Sequence, residues 1–380
     1  KRESFAMYAF GILGDGERKS AEPIAARACS DPGETKRTHD KLLHFLARSV
    51  WDDRAVRLEA ARYAIDALGE REPIVAWIVD DTGFLKQGTE SVGVQRQYTG
   101  SAGKITNCQI GVSLAIATRT EHVPIDFELY LPESWTENRA KCNKARVPDD
   151  VCFQTKIDLA LGMIGRASQA HIPGEILLAD ASYGSSARFR NAVRRLGFDF
   201  AVNVQSNADV VRLDSRDRAI GEPCSVAELV DRRGPRGFQR FTWREASKAP
   251  LRSYFRFERV KTTGGDDDVP FADREPLWLV TEWPEGETKP TKYTLTTLRR
   301  RMSKKLIIRT LKERWRVERT YQDLKGELGL DHFEGRSFPG WHHHVSVVLC
   351  CYAFVVAERV RAFPPEARRS RSRRPLQAAA

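Results

Sequence analysis

The sequence predicts a mixed α/β protein with a helical amino-terminal region, a sheet-forming core and a β-rich segment set into that core. Three observations carry this expectation. From Ser4 to about Leu68 the apolar residues recur at helical spacing, as in KLLHFLARSVWDD and AVRLEAARYAIDAL. Beyond position 70 short β-branched apolar runs alternate with helical patterns. Between about Gln205 and Leu298 the period shifts to alternating runs such as RSYFRFERV and PLWLVTEW, separated by GGDDD and WPEGE.

Taken in order, the core begins with the strand IVAWIV, which leads into Asp80. NCQIGVSLAIAT and HVPIDFELYL follow, joined by the turn-like TRTE, and three such runs predict an antiparallel meander. A helix is expected over about Pro148–Ala170, on the apolar positions Val151, Ile157, Leu159, Leu161 and Ile164. EILLAD reads as a fourth strand, SSARFRNAVRRLG as a helix closing at Gly197, and FDFAVNV as a fifth strand. The order β-β-β-α-β-α-β is that of an RNase H-like fold. Two helices follow the β-rich segment, about Lys304–Glu327 and about Trp341–Val360. The expected division is therefore 1–70, a helical region for DNA binding or packing; 71–204, the first part of the core; 205–298, the insertion; and 299–362, the helices that complete the core. Residues 363–380, ending RRSRSRRPLQAAA, form a basic tail without large apolar residues, expected to be disordered.

A chain of 380 residues with a formal net charge of +11 can bury a sizeable core and attracts an anionic partner. The charge is concentrated: from Arg299 to Lys325 there are eleven Lys and Arg against three acids, Glu313, Glu318 and Asp323. That density suits a phosphate backbone, although a solvated charged helix has the same composition. The seven cysteines form no CxxC pair and are odd in number, which argues against a disulfide framework or a zinc site and for a reducing, cytoplasmic compartment. No apolar run approaches the roughly 20 residues that span a bilayer, so no membrane association is expected. The sequence opens at Lys1, without a methionine, inside a helical pattern; a DNA-reading module upstream would lie outside it.

Three acids stand where their carboxylates can meet: Asp80 after IVAWIV, Asp180 after EILLA, and Glu318 in RWRVERTYQDLK. Asp81 is equally placed at the end of its strand. Moving a phosphodiester linkage requires an activated hydroxyl and a stabilised leaving oxygen, and two divalent ions about 3.5–4 Å apart supply both. Carboxylates are the ligands that hard Mg²⁺ prefers. Singly, each aspartate also reads as an ordinary turn acid, and Arg314 with Glu318 as an ordinary i,i+4 pair. Together the three point to a metal site. At about 100° per residue Arg314, Glu318 and Lys325 share one helical stripe, next to an apolar seam of Val317, Tyr321, Leu324 and Leu328. Lys104, beside Gly100 and Gly103, reads as a further phosphate contact or as part of a turn between strands. Asp266, Asp267 and Asp268 read as a solvated hairpin loop. His342, His343 and His344 cannot share one ion, because consecutive helical residues diverge by about 100°; they read as a helix start with polar residues facing DNA.

These residues resemble a family, the bacterial insertion-sequence transposases of the DDE type, in the branch with a β-rich insertion before the catalytic glutamate. The family's glutamate motif is Tyr-x2-Arg-x3-Glu-x6-Lys, which Arg314, Glu318 and Lys325 match, while Leu311 stands at the tyrosine position. DDTGFLKQGTESVGVQRQYTGSAGKITNCQIGVSLA and KGELGLDHFEGRSFPGWHHH are similar to the family's sequences as well, and the resemblance runs from about Ala21 to Arg359. It implies that Asp80, Asp180 and Glu318 bind two Mg²⁺ ions, with Mn²⁺ as a substitute. The Asp-x-Thr pattern favours Asp80 with Thr82, and Asp81 is the alternative. Glu327 breaks the Arg-Glu-Lys spacing and suits the third position less well. The resemblance further implies double-stranded DNA partners (terminal inverted repeats and target), a homodimer on DNA, association with the bacterial nucleoid, and no covalent protein intermediate. An insertion-domain aromatic that stacks on a flipped base is implied too, with Trp243, Trp278 and Trp283 as candidates; buried strand aromatics are the simpler reading. The rival functions are an RNase H-like nuclease without joining activity and a DNA-binding protein descended from a transposase.

Overall fold

The computed structural model describes residues 1–244, 250–264, 269–298 and 302–363. The tail expected over 363–380 and the Asp266–Asp268 loop fall, except for Phe363, outside the described residues. The amino-terminal region is helical, as its spacing requires: α1 (Arg2–Leu13), α2 (Ala21–Ala28), α3 (Thr35–Ala47) and α4 (Asp53–Gly69). The core follows as β1 (Ala76–Leu85), β2 (Gln95–Thr99), β3 (Lys104–Ala117), β4 (His122–Tyr130), the short α5 (Glu133–Thr136) and α6 (Arg139–Lys144), α7 (Lys156–Gln169), β5 (Ile176–Ala179), α8 (Ala181–Gly184), α9 (Ala187–Arg195) and β6 (Asp199–Val204). The β-rich segment supplies β7 (Asp209–Leu213), β8 (Ala219–Ser225), α10 (Val226–Arg233), β9 (Gln239–Arg244), β10 (Leu251–Thr262), β11 (Leu277–Pro284) and β12 (Lys292–Thr296). The chain closes with α11 (Lys304–Lys312), a 3₁₀ turn at Glu313–Trp315, α12 (Arg316–Gly326) and α13 (Phe338–Ala362).

The protein is mixed α/β with an RNase H-like core. β1, β3 and β4 form the antiparallel meander, while β5 and β6 add to β1 in parallel, giving the strand order β4-β3-β1-β5-β6. β12 pairs antiparallel with β6, so the strands of the β-rich segment extend the same sheet, in the order β12-β11-β10-β7-β8. β3 is buried from Cys108 to Ala117 because its neighbours and both layers cover it. Gly111 is required there: a Cβ at that position would stand 2.2 Å from the Phe127 ring.

Three local expectations need correction. The helix expected from Pro148 begins at Lys156, because Thr155 and Asp158 form a reciprocal capping box that fixes the start eight residues later. The single helix expected over Lys304–Glu327 is interrupted by the 3₁₀ turn. Lys312 at the end of α11 is ion-paired with Glu282 of β11, and Arg316 donates to the carbonyls of Arg119 and Thr120. The tighter turn lies between these two anchors. Third, His342, His343 and His344 do not face outward; all are buried, because α13 is sandwiched between the sheet and the amino-terminal helices. His343 stacks on Trp51 with 4.0 Å between ring centroids, and His344 Nδ1 lies 2.9 Å from the Tyr8 hydroxyl.

That sandwich is locked by a buried charge network. Arg57 of α4, with a fully buried side chain, donates to Asp126 Oδ1 of β4 at 2.9 Å, to Asp53 Oδ2 at 2.5 Å and to Ser346 Oγ of α13 at 2.7 Å. Arg166 of α7 donates to Asp126 and Glu128 at 2.7 Å each. The amino-terminal helices therefore share the core of the sheet.

Candidate metal centre

Strand register brings two of the three acids together. β1 and β5 pair in parallel with Val79 opposite Ala179, so the next residue on each strand is an aspartate, Asp80 and Asp180, on strands roughly 4.8 Å apart. β5 ends there, and Asp180 caps α8 by accepting the Ser182 N–H at 2.9 Å. Glu318 comes from the first turn of α12, which packs on the face of β1 carrying Asp80 and Thr82. The three acids line one cavity of about 570 Å³, together with Asp81, Arg314 and Lys325.

Asp80 is largely enclosed, with its side chain 14% exposed. Its Oδ1 accepts the Asp81 N–H at 2.8 Å, and its Oδ2 accepts Arg314 Nη1 at 3.0 Å. Burial pushes its carboxyl up to about 7; Arg314 opposes the shift and the neighbouring Asp180 adds to it. Glu318 is exposed, with Oε1 3.5 Å from Arg314 Nη2, so one guanidinium bridges Asp80 and Glu318. Asp81 borders the cavity too, but consecutive strand residues face opposite ways. Its carboxylate is held by Lys156 Nζ at 3.1 Å and the Tyr183 hydroxyl at 3.3 Å.

Lys325 ties α12 to β1, donating to Thr82 Oγ1 at 2.8 Å and to the Gly83 carbonyl at 2.7 Å. Burial lowers the pKa of its ammonium. The expected seam of Val317, Tyr321, Leu324 and Leu328 is buried, and the Tyr321 hydroxyl lies 2.6 Å from Ser113 Oγ. Lys104 is exposed at the start of β3, next to the turn whose Gly100 and Ser101 line the cavity; Lys104 itself is not in the lining. The three tryptophans lie elsewhere. Trp243 has Lys312 Nζ 4.8 Å above its ring, Trp278 has the Arg259 guanidinium at 5.0 Å, and Trp283 donates to the Glu287 carbonyl at 2.8 Å.

Sequence reasoning missed Lys156, Tyr183 and Ser101. Tyr183 had one signal, its place three residues after Asp180 in DASYG; Lys156 had none, because its contact with Asp81 spans 75 residues.

The donor set fits a hard divalent cation: oxygen ligands only, on two adjacent strand ends and one helix, with one carboxyl desolvated. Among the described residues no three His, Cys, Asp or Glu side chains converge closely enough to hold an ion by themselves. The Arg314 guanidinium supplies the positive charge between Asp80 and Glu318. Mg²⁺ commonly takes one or two protein carboxylates and completes its shell with water and substrate, so a looser trio of acids remains compatible with it.

Comparisons with known proteins agree in kind. The family model described as "DDE superfamily endonuclease" matches residues 1–261, a stretch that takes in Asp80 and Asp180 and ends before Glu318. A probable transposase for insertion sequence element IS701 from Microchaete diplosiphon is 28% identical over 206 residues, covering 54% of this chain and 49% of that protein. The chain thus spans about half the length of this curated relative. Matched over more than half its length, and carrying paired aspartates at adjacent strand ends of an RNase H-like sheet, the chain belongs to the DDE superfamily endonucleases.

Proposed function

We propose that the protein is an insertion-sequence transposase that hydrolyses a phosphodiester at the ends of its element and joins the freed 3′-hydroxyl to target DNA. Asp80, Asp180 and Glu318 would hold two divalent ions, Mg²⁺ or Mn²⁺ in its place, with water and substrate completing each shell. When bound, these ions activate the attacking hydroxyl and stabilise the leaving oxygen. The chain's own cations do the positioning: Arg314 and Lys325 flank the acids, and Lys104 stands at the neighbouring turn, so that a phosphate entering the cavity meets positive charge. The partners are the terminal repeats and target DNA, bound by a homodimer at the nucleoid of a bacterial cytoplasm. Among the described residues no helix is long and apolar enough to cross a membrane.

The observation that carries this reading is the parallel register of Val79 with Ala179, which brings Asp80 and Asp180 to one cavity with Glu318. Support also comes from the IS701 relative, whose name is that of a probable transposase. The test is cleavage and strand transfer on labelled terminal-repeat DNA with Mg²⁺. Asp180→Ala and Glu318→Ala are expected to bind ends normally while cutting about a thousandfold more slowly, some 4 kcal/mol of barrier. Unchanged cutting by both variants refutes the metal site. Cutting without joined products assigns a nuclease, and binding without cutting a DNA-binding protein.

A further inference from the structure

The β2–β3 hairpin presents a pair of large apolar side chains to solvent beside the catalytic cavity. Tyr98 of β2 and Ile105 of β3 sit directly opposite one another in the ladder, and they are 63% and 61% exposed. Because the two side chains are cross-strand neighbours, they form one small apolar patch rather than two scattered residues.

The hairpin is anchored where this pair is not. Thr99, next to Tyr98, is 1% exposed, and a Cβ on Gly83 would stand 2.1 Å from its Oγ1. Only glycine at position 83 permits that approach. Thr99 Oγ1 lies 2.9 Å from Ser101 Oγ, which donates to the Gly83 carbonyl at 3.2 Å. The tip is therefore pinned to β1 three residues beyond Asp80, and Gly100 and Ser101 form part of the cavity wall. Tyr98 is two residues from that wall, at most about 7 Å along the chain.

Charge selects the partner. From Gln95 to Asn107 the hairpin carries Arg96 and Lys104 and no acid. An aromatic face, an aliphatic neighbour and two cations on a rigid tip match a nucleic-acid strand, which offers bases to stack and phosphates to neutralise.

We propose that this hairpin is a wedge that enters the DNA duplex beside the scissile phosphate, with Tyr98 stacked on a base displaced from its pair and Ile105 filling the gap. Arg96 and Lys104 hold the flanking phosphates. The inference rests on the reading that the cavity receives a DNA phosphodiester.

Tyr98→Ala with Ile105→Ala tests it, since both side chains are exposed and their removal leaves the core intact. Full-length protein is bound to terminal-repeat duplex with Mg²⁺ omitted, and thymines flanking the cleavage position are probed with permanganate. Wild type is expected to make them reactive; the double variant is expected to leave them protected, whereas Tyr98→Trp retains the reactivity. With Mg²⁺, the double variant is expected to cut paired ends about tenfold more slowly. On ends with mismatches at the flanking positions it should return to within about twofold of wild type. Wild-type protection of the thymines, an equal defect on paired and mismatched ends, or a changed association state with normal cutting would each overturn the wedge. The last outcome assigns the pair to contact between copies of the chain. Because the permanganate arm needs no cleavage, absence of cutting by wild type counts against the transposase reading, while the thymines still decide the wedge.

Discussion

Asp80 and Asp81 are adjacent in sequence and opposite in surroundings. Burial holds the Asp80 carboxyl at about 7 against an ordinary value of 3.8, so the folded, metal-free protein binds a proton there that the unfolded chain releases. The sign follows: this group favours the folded state at low pH, and its contribution is lost as pH rises from about 4 through 7. A cation that requires the carboxylate competes with the same proton. Mg²⁺ titrations followed by thermal unfolding are expected to show affinity rising about tenfold from pH 6 to pH 8 and then levelling. Asp80→Asn should abolish that rise, whereas Asp81→Asn, whose partners are Lys156 and Tyr183, should leave Mg²⁺ affinity within about twofold. A pH-independent affinity in wild type would remove Asp80 from the ion. That the acids at 80, 180 and 318 meet at one cavity was legible because each ends an apolar run or marks a basic helix. Which of 80 and 81 faces Arg314 was not, since it depends on which helix packs on which face of β1.

At the scale of elements, the strands of the core were readable from β-branched runs, and their order was enough for the fold. β2 was not read as a strand, because QRQYT has little apolar alternation and lies at the margin of the sheet. The capping box that starts α7 was present as Thr155 and Asp158, but apolar spacing from Val151 onward masked it. The docking of α4 onto the core was wholly hidden, for Arg57 lies in a helix that reads as amphipathic and its partners outside that helix, Asp126 and Ser346, are 69 and 289 residues away. That docking makes a sharp prediction. Arg57→Ala strips Asp53 of its guanidinium partner and leaves Asp126 and Glu128 to Arg54 and Arg166, and a loss of about 3 kcal/mol, the low end for breaking a buried ion pair, is expected in denaturant unfolding. A loss under about 1 kcal/mol would mean that the network contributes little to holding the amino-terminal helices.

Across the whole molecule, two histidines from distant elements are buried in the neutral form. His122 Nε2 lies 3.0 Å from the Tyr352 hydroxyl, and burial, reinforced by Arg316, Arg359 and Arg319, lowers its pKa to about 4. His344 is lowered to about 4, chiefly by burial. Both lie below the ordinary 6.5, so the unfolded chain protonates first: stability is intact above about pH 6.5 and is lost as pH falls toward 4. Denaturant midpoints at pH 7, 5.5 and 4.5 are expected to fall in that order. The decline should be shallower in His122→Gln and steeper in Asp80→Asn, because the Asp80 carboxyl acts in the opposite sense over the same range.

The β-rich segment leaves the core at Val204 and returns at Tyr293, and those two residues are paired across adjacent strands. A detour whose ends already touch is a closed excursion: its length can change by whole hairpins while the positions of Asp180 before it and Glu318 after it stay fixed. Hairpins added or lost there would leave the cavity lined by Asp80, Asp180 and Glu318 where it is, as a tailor lengthens a sleeve without recutting the shoulder.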